Sequence, residues 1–412
     1  MKVRYICHAG QDTGYGRAAT ELALALVEAG VDLDLAPLSR PWSFSGRAEA
    51  LAKRVECSWP LHGDPDADVT IVHTMPMDCW TAQQDAAESG EVGGGPWIAY
   101  TTWEGVDFPP HVGGSLFATG AFADVWVPSS ATQDAFLNGD VPHGVFVLPH
   151  TFKPDDRPIA RRAGGEDVFR FAYIGAWTTR KNPHGLIRAF AATFAPTEPV
   201  ELVIHSPGVS LEMFTAALVA TGLEQRDMPR VRLSGKHVSD EVMRQMHHQY
   251  DCFVTATRGE AWNLPAFEAM LAGRMVIAPG GMGHDDFLFE DPDVLPFGGE
   301  DSITSARRVS SFEQPAFVDV QLLDHVTVGG FEPESRKPGL RFTTVGAQGL
   351  SSKTRWRDPD LVHLGHQMRS VYEKRERDIR VEYDPVARFG YKAVAKKAIA
   401  RMEHLLAKGR TR

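Results

Sequence analysis

The sequence predicts an α/β protein of two domains, each made by strands and helices alternating around a parallel sheet. Three observations predict it. Short apolar runs alternate with helical patterns from Val3 to Pro149, a polar stretch rich in proline, glycine and arginine follows from Lys153 to Asp167, and the alternation then resumes from Phe169 to Ala278. Such alternation is the signature of βαβ units. The 412 residues suit two or three domains of ordinary size.

Composition narrows the function classes. A hydrophobic fraction of 43% leaves enough apolar side chains for two cores, and a net charge of −10 argues against a dominant nucleic-acid role. No apolar run approaches the roughly 20 residues of a membrane span, and the start reads as a strand without signal-peptide organisation, so a cytoplasmic location is expected. The four cysteines, Cys7, Cys57, Cys79 and Cys252, lack metal-site spacing and read as free buried thiols in a reducing compartment.

In the first half, a strand over 3–8 leads through a glycine-rich stretch into a helix over about 17–29, whose Leu22, Leu26 and Ala29 repeat at helical spacing. Strands follow over 31–36, 68–73, 97–102, 124–129 and 144–149, with a helix over about 130–137. His73, Glu104 and His150 fall at the carboxyl ends of strands, where cleft residues lie, although a satisfied polar group is the plainer reading for any one of them. Gly14-x-Gly16-x-x-Ala19 matches a dinucleotide fingerprint, and Asp34 lies 34 − 14 = 20 residues beyond the first glycine. That opens one alternative function, a nicotinamide- or flavin-dependent oxidoreductase. Against it, the glycines stand six residues past His8 rather than at the strand end.

In the second half, strands are expected over 169–174, 200–205, 231–234 and 250–257, and helices over 184–194, 211–221 and 239–249. The stretch Arg180-Lys181-Asn182 precedes the first of these helices, a suitable place for a diphosphate clamp of one planar fork and one point charge. A solvated basic loop is its plain alternative. Further on, Glu260-Ala261-Trp262-Asn263-Leu264-Pro265 sits between a buried strand and a short helix over 266–272, with Pro265 suited to a first helical turn. Glu268 follows in that helix, and Gly273 ends it. A helix start beyond a parallel strand offers free N–H groups and partial positive charge to a phosphate. Helices are also expected from Asp358 and from Asp384 to about Lys408, and no function is assigned to 292–353.

A glutamate, seven residues, a second glutamate and then Ala269-Met270-Leu271-Ala272-Gly273 resemble the signature of retaining glycosyltransferases of the GT-B type, family 4 in particular. The family form is Glu-Gly-Phe-Gly-Leu-Pro followed by Glu-Ala-Met-Ala-Cys-Gly, so Ala261 and Asn263 replace two glycines here. The resemblance implies two Rossmann-like domains facing a central cleft: 1–160 on the acceptor side, 161–380 holding the donor, and a helix over 381–412 returning to the first domain. It also implies a hexosyltransferase that retains anomeric configuration and needs no metal ion. The donor is a UDP- or GDP-sugar rather than a tightly bound cofactor. On this reading Glu260, Arg180, Lys181 and Glu104 serve catalysis, and Gly14, Gly16, Asn263, Leu264 and Glu268 bind the donor. Lys181-Asn182 matches the family's basic dipeptide, whereas Ala176 stands where the family often has an arginine, leaving Arg180 as the substitute. The acceptor is not legible. The basic residues Lys392, Lys396, Lys397 and Arg401 keep open a transferase acting on nucleic-acid bases, and the replaced motif positions keep open a carbohydrate-binding relative without turnover.

Overall fold

The computed structural model describes residues 1–11, 13–38, 46–57, 66–88, 95–109, 117, 120–141, 144–154, 168–288, 307–309, 317–319, 355–375, 377, 381 and 383–409. The first half contains β1 (Lys2–Cys7), α1 (Gly14–Glu28), β2 (Asp32–Pro37), α2 (Gly46–Ala52), β3 (Glu56–Cys57), β4 (Val69–His73) and α3 (Pro76–Glu88). It continues with β5 (Trp97–Tyr100), β6 (Asp124–Val127), α4 (Ser130–Leu137) and β7 (Val145–Val147). These strands make one parallel sheet in the order β3-β2-β1-β4-β5-β6-β7. All five residues of β4 are buried, as expected of a parallel strand covered on both faces.

The second half contains β8 (Phe169–Ile174), α5 (Pro183–Thr193), β9 (Val200–His205), α6 (Leu211–Val219), β10 (Arg230–Ser234), α7 (Asp240–Met246) and β11 (Cys252–Val254). It then has α8 (Leu264–Leu271), β12 (Met275–Pro279), α9 (Asp285–Leu288) and β13 (Arg307–Val309). Its sheet runs β10-β9-β8-β11-β12-β13, the same doubly wound order as the first. In both sheets the order reverses beside the first strand, β1 or β8, and open α/β sheets bind ligands beyond the strand ends at that reversal. An antiparallel pair follows, β14 (Phe317–Asp319) with β15 (Arg355–Arg357), then α10 (Leu361–Glu373), α11 (Pro385–Phe389) and α12 (Tyr391–Gly409).

Each sheet is sandwiched between two apolar clusters, one on each face. The returning C-terminal helix completes the first of them: Tyr391, Val394, Ala398 and Met402 of α12 bury themselves against Leu22 and Leu26 of α1. Arg401 makes two 2.7 Å contacts to Asp124 of β6, and Lys397 and Arg401 lie over the Phe146 ring. Part of the basic face read as a possible nucleic-acid contact is therefore spent within the molecule. Among the described residues no helix is long and apolar enough to cross a membrane.

Several expectations are corrected. Helix α1 starts at Gly14 rather than Arg17, because the Thr13 hydroxyl caps it by accepting from Gly16 N at 3.0 Å. The glycines therefore lie in a first helical turn. The single helix expected over 384–408 is two. The Phe389 carbonyl, which an unbroken helix would use itself, accepts instead from Phe152 N (3.3 Å) and Thr151 Oγ1 (2.7 Å). Gly390 turns extended there and bridges Phe152. Cys57 is exposed while the other three thiols are buried. Helices α2 and α3 and the strands β3, β14 and β15 carry no sequence expectation. Most of the polar stretch 153–167, and most of 292–353, lies outside the described residues.

Candidate active site

Two loops at the carboxyl ends of β8 and β11 build the centre of the site. Each ends in an asparagine with positive φ that caps the next helix: Asn182 (φ 53°) before α5 and Asn263 (φ 73°) before α8. Asparagine is among the few residues that tolerate this region. Asn182 Oδ1 accepts from Gly185 N at 3.1 Å, and its amide donates to the Ala256 carbonyl at 3.1 Å, so one side chain caps α5 and ties it to the neighbouring loop. Arg258 N donates to the Arg180 carbonyl at 2.7 Å. These bonds tie the two loops into one unit.

Within that unit Lys181 Nζ lies 2.6 Å from Glu260 Oε1, and Arg180 Nη1 lies 3.4 Å from Glu260 Oε2 and 2.6 Å from the Gly259 carbonyl. Arg180 also reaches out of its own domain, with Nη2 3.3 Å from Glu104 Oε1 beyond β5. Burial raises the Glu260 pKa, but the charges of Lys181 and Arg180 outweigh it and hold the carboxyl below its ordinary value. Burial likewise pulls Lys181 down against the opposing pull of Glu260. The outcome is a buried carboxylate kept ionised by two cations, the second of which Glu104 also pairs. Backbone packing closes the site tightly: a Cβ on Gly259 would collide with the Glu104 carbonyl oxygen.

Helix α8 points its start toward α1. The Cβ direction of Gly14 meets Leu264 Cδ1 at 3.9 Å, so two helix N-termini face each other across the gap between the sheets. Gly16 is required by packing, since a Cβ there would run into the backbone carbonyls of Gln11 and His8. One turn into α8, Glu268 is held by Arg17 Nη1 of α1 at 2.8 Å and by His247 Nε2 at 3.2 Å. Burial raises its pKa, and Arg17 with His247 brings it below the ordinary value. A pocket opens beside it, lined by Arg17, Lys153, His247, Leu264 and Phe267 among others.

The sequence candidates thus fall into two adjoining groups. Glu104, Arg180, Lys181 and Glu260 meet in one, and Gly14, Gly16, Asn263, Leu264 and Glu268 border the helix-start gap and the pocket. His73 and His150 do not join them. His73 is fully buried, its Nδ1 at 2.6 Å from Tyr5 OH and its ring stacked on Tyr100 at 4.0 Å. His150 is buried with Nδ1 3.0 Å from the Tyr100 hydroxyl. Asp34, which the dinucleotide reading needs free at a strand end, is buried within β2. Arg17, His247 and Arg258 were missed. For Arg17 a signal existed, since it follows the second glycine directly.

Residues 168–295 match the family described as Glycosyl transferases group 1. That stretch, about a third of the chain, is similar to a group 1 glycosyltransferase domain. Sucrose-phosphate synthase from Thermosynechococcus elongatus shares the fold at a TM-score of 0.62 and 14% identity, covering 99% of each chain. A glycosyltransferase from Rickettsia africae gives 0.62 and 11%, covering 98% of each. HepE from Anabaena, solved with UDP, gives 0.52 and 15%, covering 71% of this chain and 84% of its own. HepE has also been solved with UDP and glucose. No curated protein matches the sequence significantly. The fold is GT-B, as the resemblance implied, and the enzyme class is glycosyltransferase.

Proposed function

We propose that this glycosyltransferase moves a hexose from a nucleoside-diphosphate sugar, UDP- or GDP-linked, to an acceptor hydroxyl, with retention of anomeric configuration and without a metal ion. The observation that carries the reading is the Lys181–Glu260–Arg180 cluster at the strand ends of the second sheet. Breaking the bond from the anomeric carbon leaves a diphosphate anion and an oxocarbenium-like sugar. Lys181, Arg180 and the start of α8 offer preset positive potential to the first, with Arg180 acting for the arginine absent at Ala176. Glu260 bonds sugar hydroxyls and favours the positive charge at the anomeric carbon, while Glu268 holds the ribose hydroxyls. Gly14 puts no side chain in the way of the donor, while Gly16, Asn263 and Leu264 shape the two helix starts that border it. The departing phosphate takes the acceptor proton, as the resemblance implies, and Glu104 on the acceptor side helps place the sugar.

The division of labour follows: 1–160 for the acceptor, 161–380 for the donor, and 381–412 as the crossover helix. The group 1 match and the UDP complexes of HepE support the donor class. The test is thermal stabilisation by UDP, GDP, ADP, TDP and NAD. A ligand at about 100 times its dissociation constant adds roughly 2.7 kcal/mol. Stabilisation by one nucleoside diphosphate, lost in Lys181→Met, supports the reading. Stabilisation by NAD alone defeats it.

A further inference from the structure

We propose that Arg357 binds an anionic group, a carboxylate or a phosphate, carried by the sugar that enters the Glu260 site; this rests on the transfer reading above. Arg357 ends β15, outside the residues matched by the group 1 family. The segment is nevertheless fixed to both loops of the site. Arg357 N donates to the Arg258 carbonyl at 2.9 Å, and Asp358 Oδ1 lies 2.7 Å from Arg258 Nε. Arg258 in turn donates from Nη1 to the Thr179 carbonyl at 2.5 Å, one residue before Arg180. The Trp356 ring edge is 3.2 Å from where a Gly259 Cβ would stand.

The Arg357 guanidinium occupies the space a side chain on Gly281 would fill, and Gly281 has φ 79°. Two residues on, Gly283 N donates to the Glu260 carbonyl at 2.9 Å. The cation therefore lies on the same backbone platform that positions Glu260. Its neighbours each hold a carboxylate: Arg258 has Asp358, and Arg180 has Glu104 and Glu260. Arg357 makes no side-chain hydrogen bond or ion pair among the described residues, and it is partly buried. Partial burial costs a guanidinium hydration, and its planar donors match a carboxylate or phosphate in bidentate fashion. A rim arginine that merely meets solvent would confer no charge selectivity.

The anion can sit on the donor sugar, as in a uronate, or on the acceptor, as in a sugar phosphate. Calorimetric titration of the full chain separates these. UDP-glucuronate is compared with UDP-glucose, and glucose 6-phosphate with glucose at saturating UDP. If GDP is the nucleotide bound, GDP, GDP-mannuronate and GDP-mannose replace the uridine probes. One charged probe is expected to bind about tenfold tighter than its neutral counterpart, the scale of a charge-assisted bond. Arg357→Gln should erase that preference and leave UDP affinity unchanged, which also reports an intact fold, while Arg357→Lys retains part of it. Equal binding of charged and neutral probes in both arms, or a preference that survives Arg357→Gln, overturns the proposal. Failure of every nucleoside diphosphate to bind defeats the transfer reading, and this inference with it. Nucleotide binding without charge preference defeats this inference alone.

Discussion

Lys181 Nζ sits 2.6 Å from one oxygen of Glu260 while Arg180 Nη1 sits 3.4 Å from the other. The carboxylate side chain is 5% exposed, so removing its closest cation strands a buried charge. Lys181→Met should destabilise the protein by about 3 kcal/mol, the lower end for breaking a buried pair, because Arg180 remains. Adding Glu260→Gln should recover most of that loss without restoring transfer. Urea unfolding of the wild type, both single variants and the double variant reads the coupling. A Lys181→Met protein as stable as the wild type would show that the pair is not closed in solution.

Gly259 provides a test of the contact between the two halves. Its missing side chain leaves room for the Glu104 carbonyl of the opposite domain, and a methyl group placed there cannot coexist with it. Gly259→Ala should therefore push Glu104 away from Arg180 while the two sheets and their cores stay folded. Closure over the donor excludes water and assembles the site. Transfer is expected to fall at least about tenfold, with about 1–3 kcal/mol of stability lost by overpacking. Small-angle scattering should show a larger radius of gyration with UDP than the wild type has. An unchanged radius and full activity would contradict the tight approach.

Much of this was legible locally. Strands such as 69–73 are mostly apolar and buried along their length because both faces are covered, and Asn263 was readable as a residue able to keep a glycine's backbone shape. The Glu260–Glu268 spacing pointed to the loop and helix that hold them. What was not legible depended on partners distant in sequence. The break at Gly390 comes from Thr151 and Phe152 capturing a carbonyl some 240 residues away, within the span 151–389. His73 and His150 stand at strand ends and read most plainly as satisfied polar groups, but their partners, Tyr5 and Tyr100, lie in the core rather than near the surface. Arg17, Arg258 and Arg357 acquire meaning only when the loops meet.

Glu268 is expected to read the ribose. It is presented to the pocket one turn into α8, held by Arg17 at 2.8 Å and His247 at 3.2 Å. A carboxylate accepting from ribose hydroxyls gains about 1.5–3 kcal/mol per bond, so removing the 2′-hydroxyl should weaken wild-type binding about tenfold or more. Titration with UDP and 2′-deoxy-UDP should show that difference, and Glu268→Gln should shrink it. Equal affinities in the wild type would place the ribose elsewhere.

Acid stability separates the histidines from the carboxylates. Burial pushes His150 down to about 3 and His73 well below its ordinary value, so both stay neutral in the native state. An unfolded histidine takes up its proton near 6.5. Between about pH 6.5 and 3 the unfolded chain therefore binds more protons, and stability must fall as the solution is acidified, by about 1.4 kcal/mol per pH unit for each such histidine. Glu260 and Glu268 have lowered native values, so their contribution is present above the ordinary carboxylate value of about 4.3 and disappears only below it. Loss between pH 6.5 and 5 thus belongs to the histidines, with His8, His184 and His205, also lowered by burial, adding to it. Urea midpoints at pH 7.5, 6.5, 5.5 and 5.0 should fall on this slope, and His150→Gln should flatten it by about one proton. A flat profile down to pH 5 would mean that the Tyr100–His150 contact is open to water.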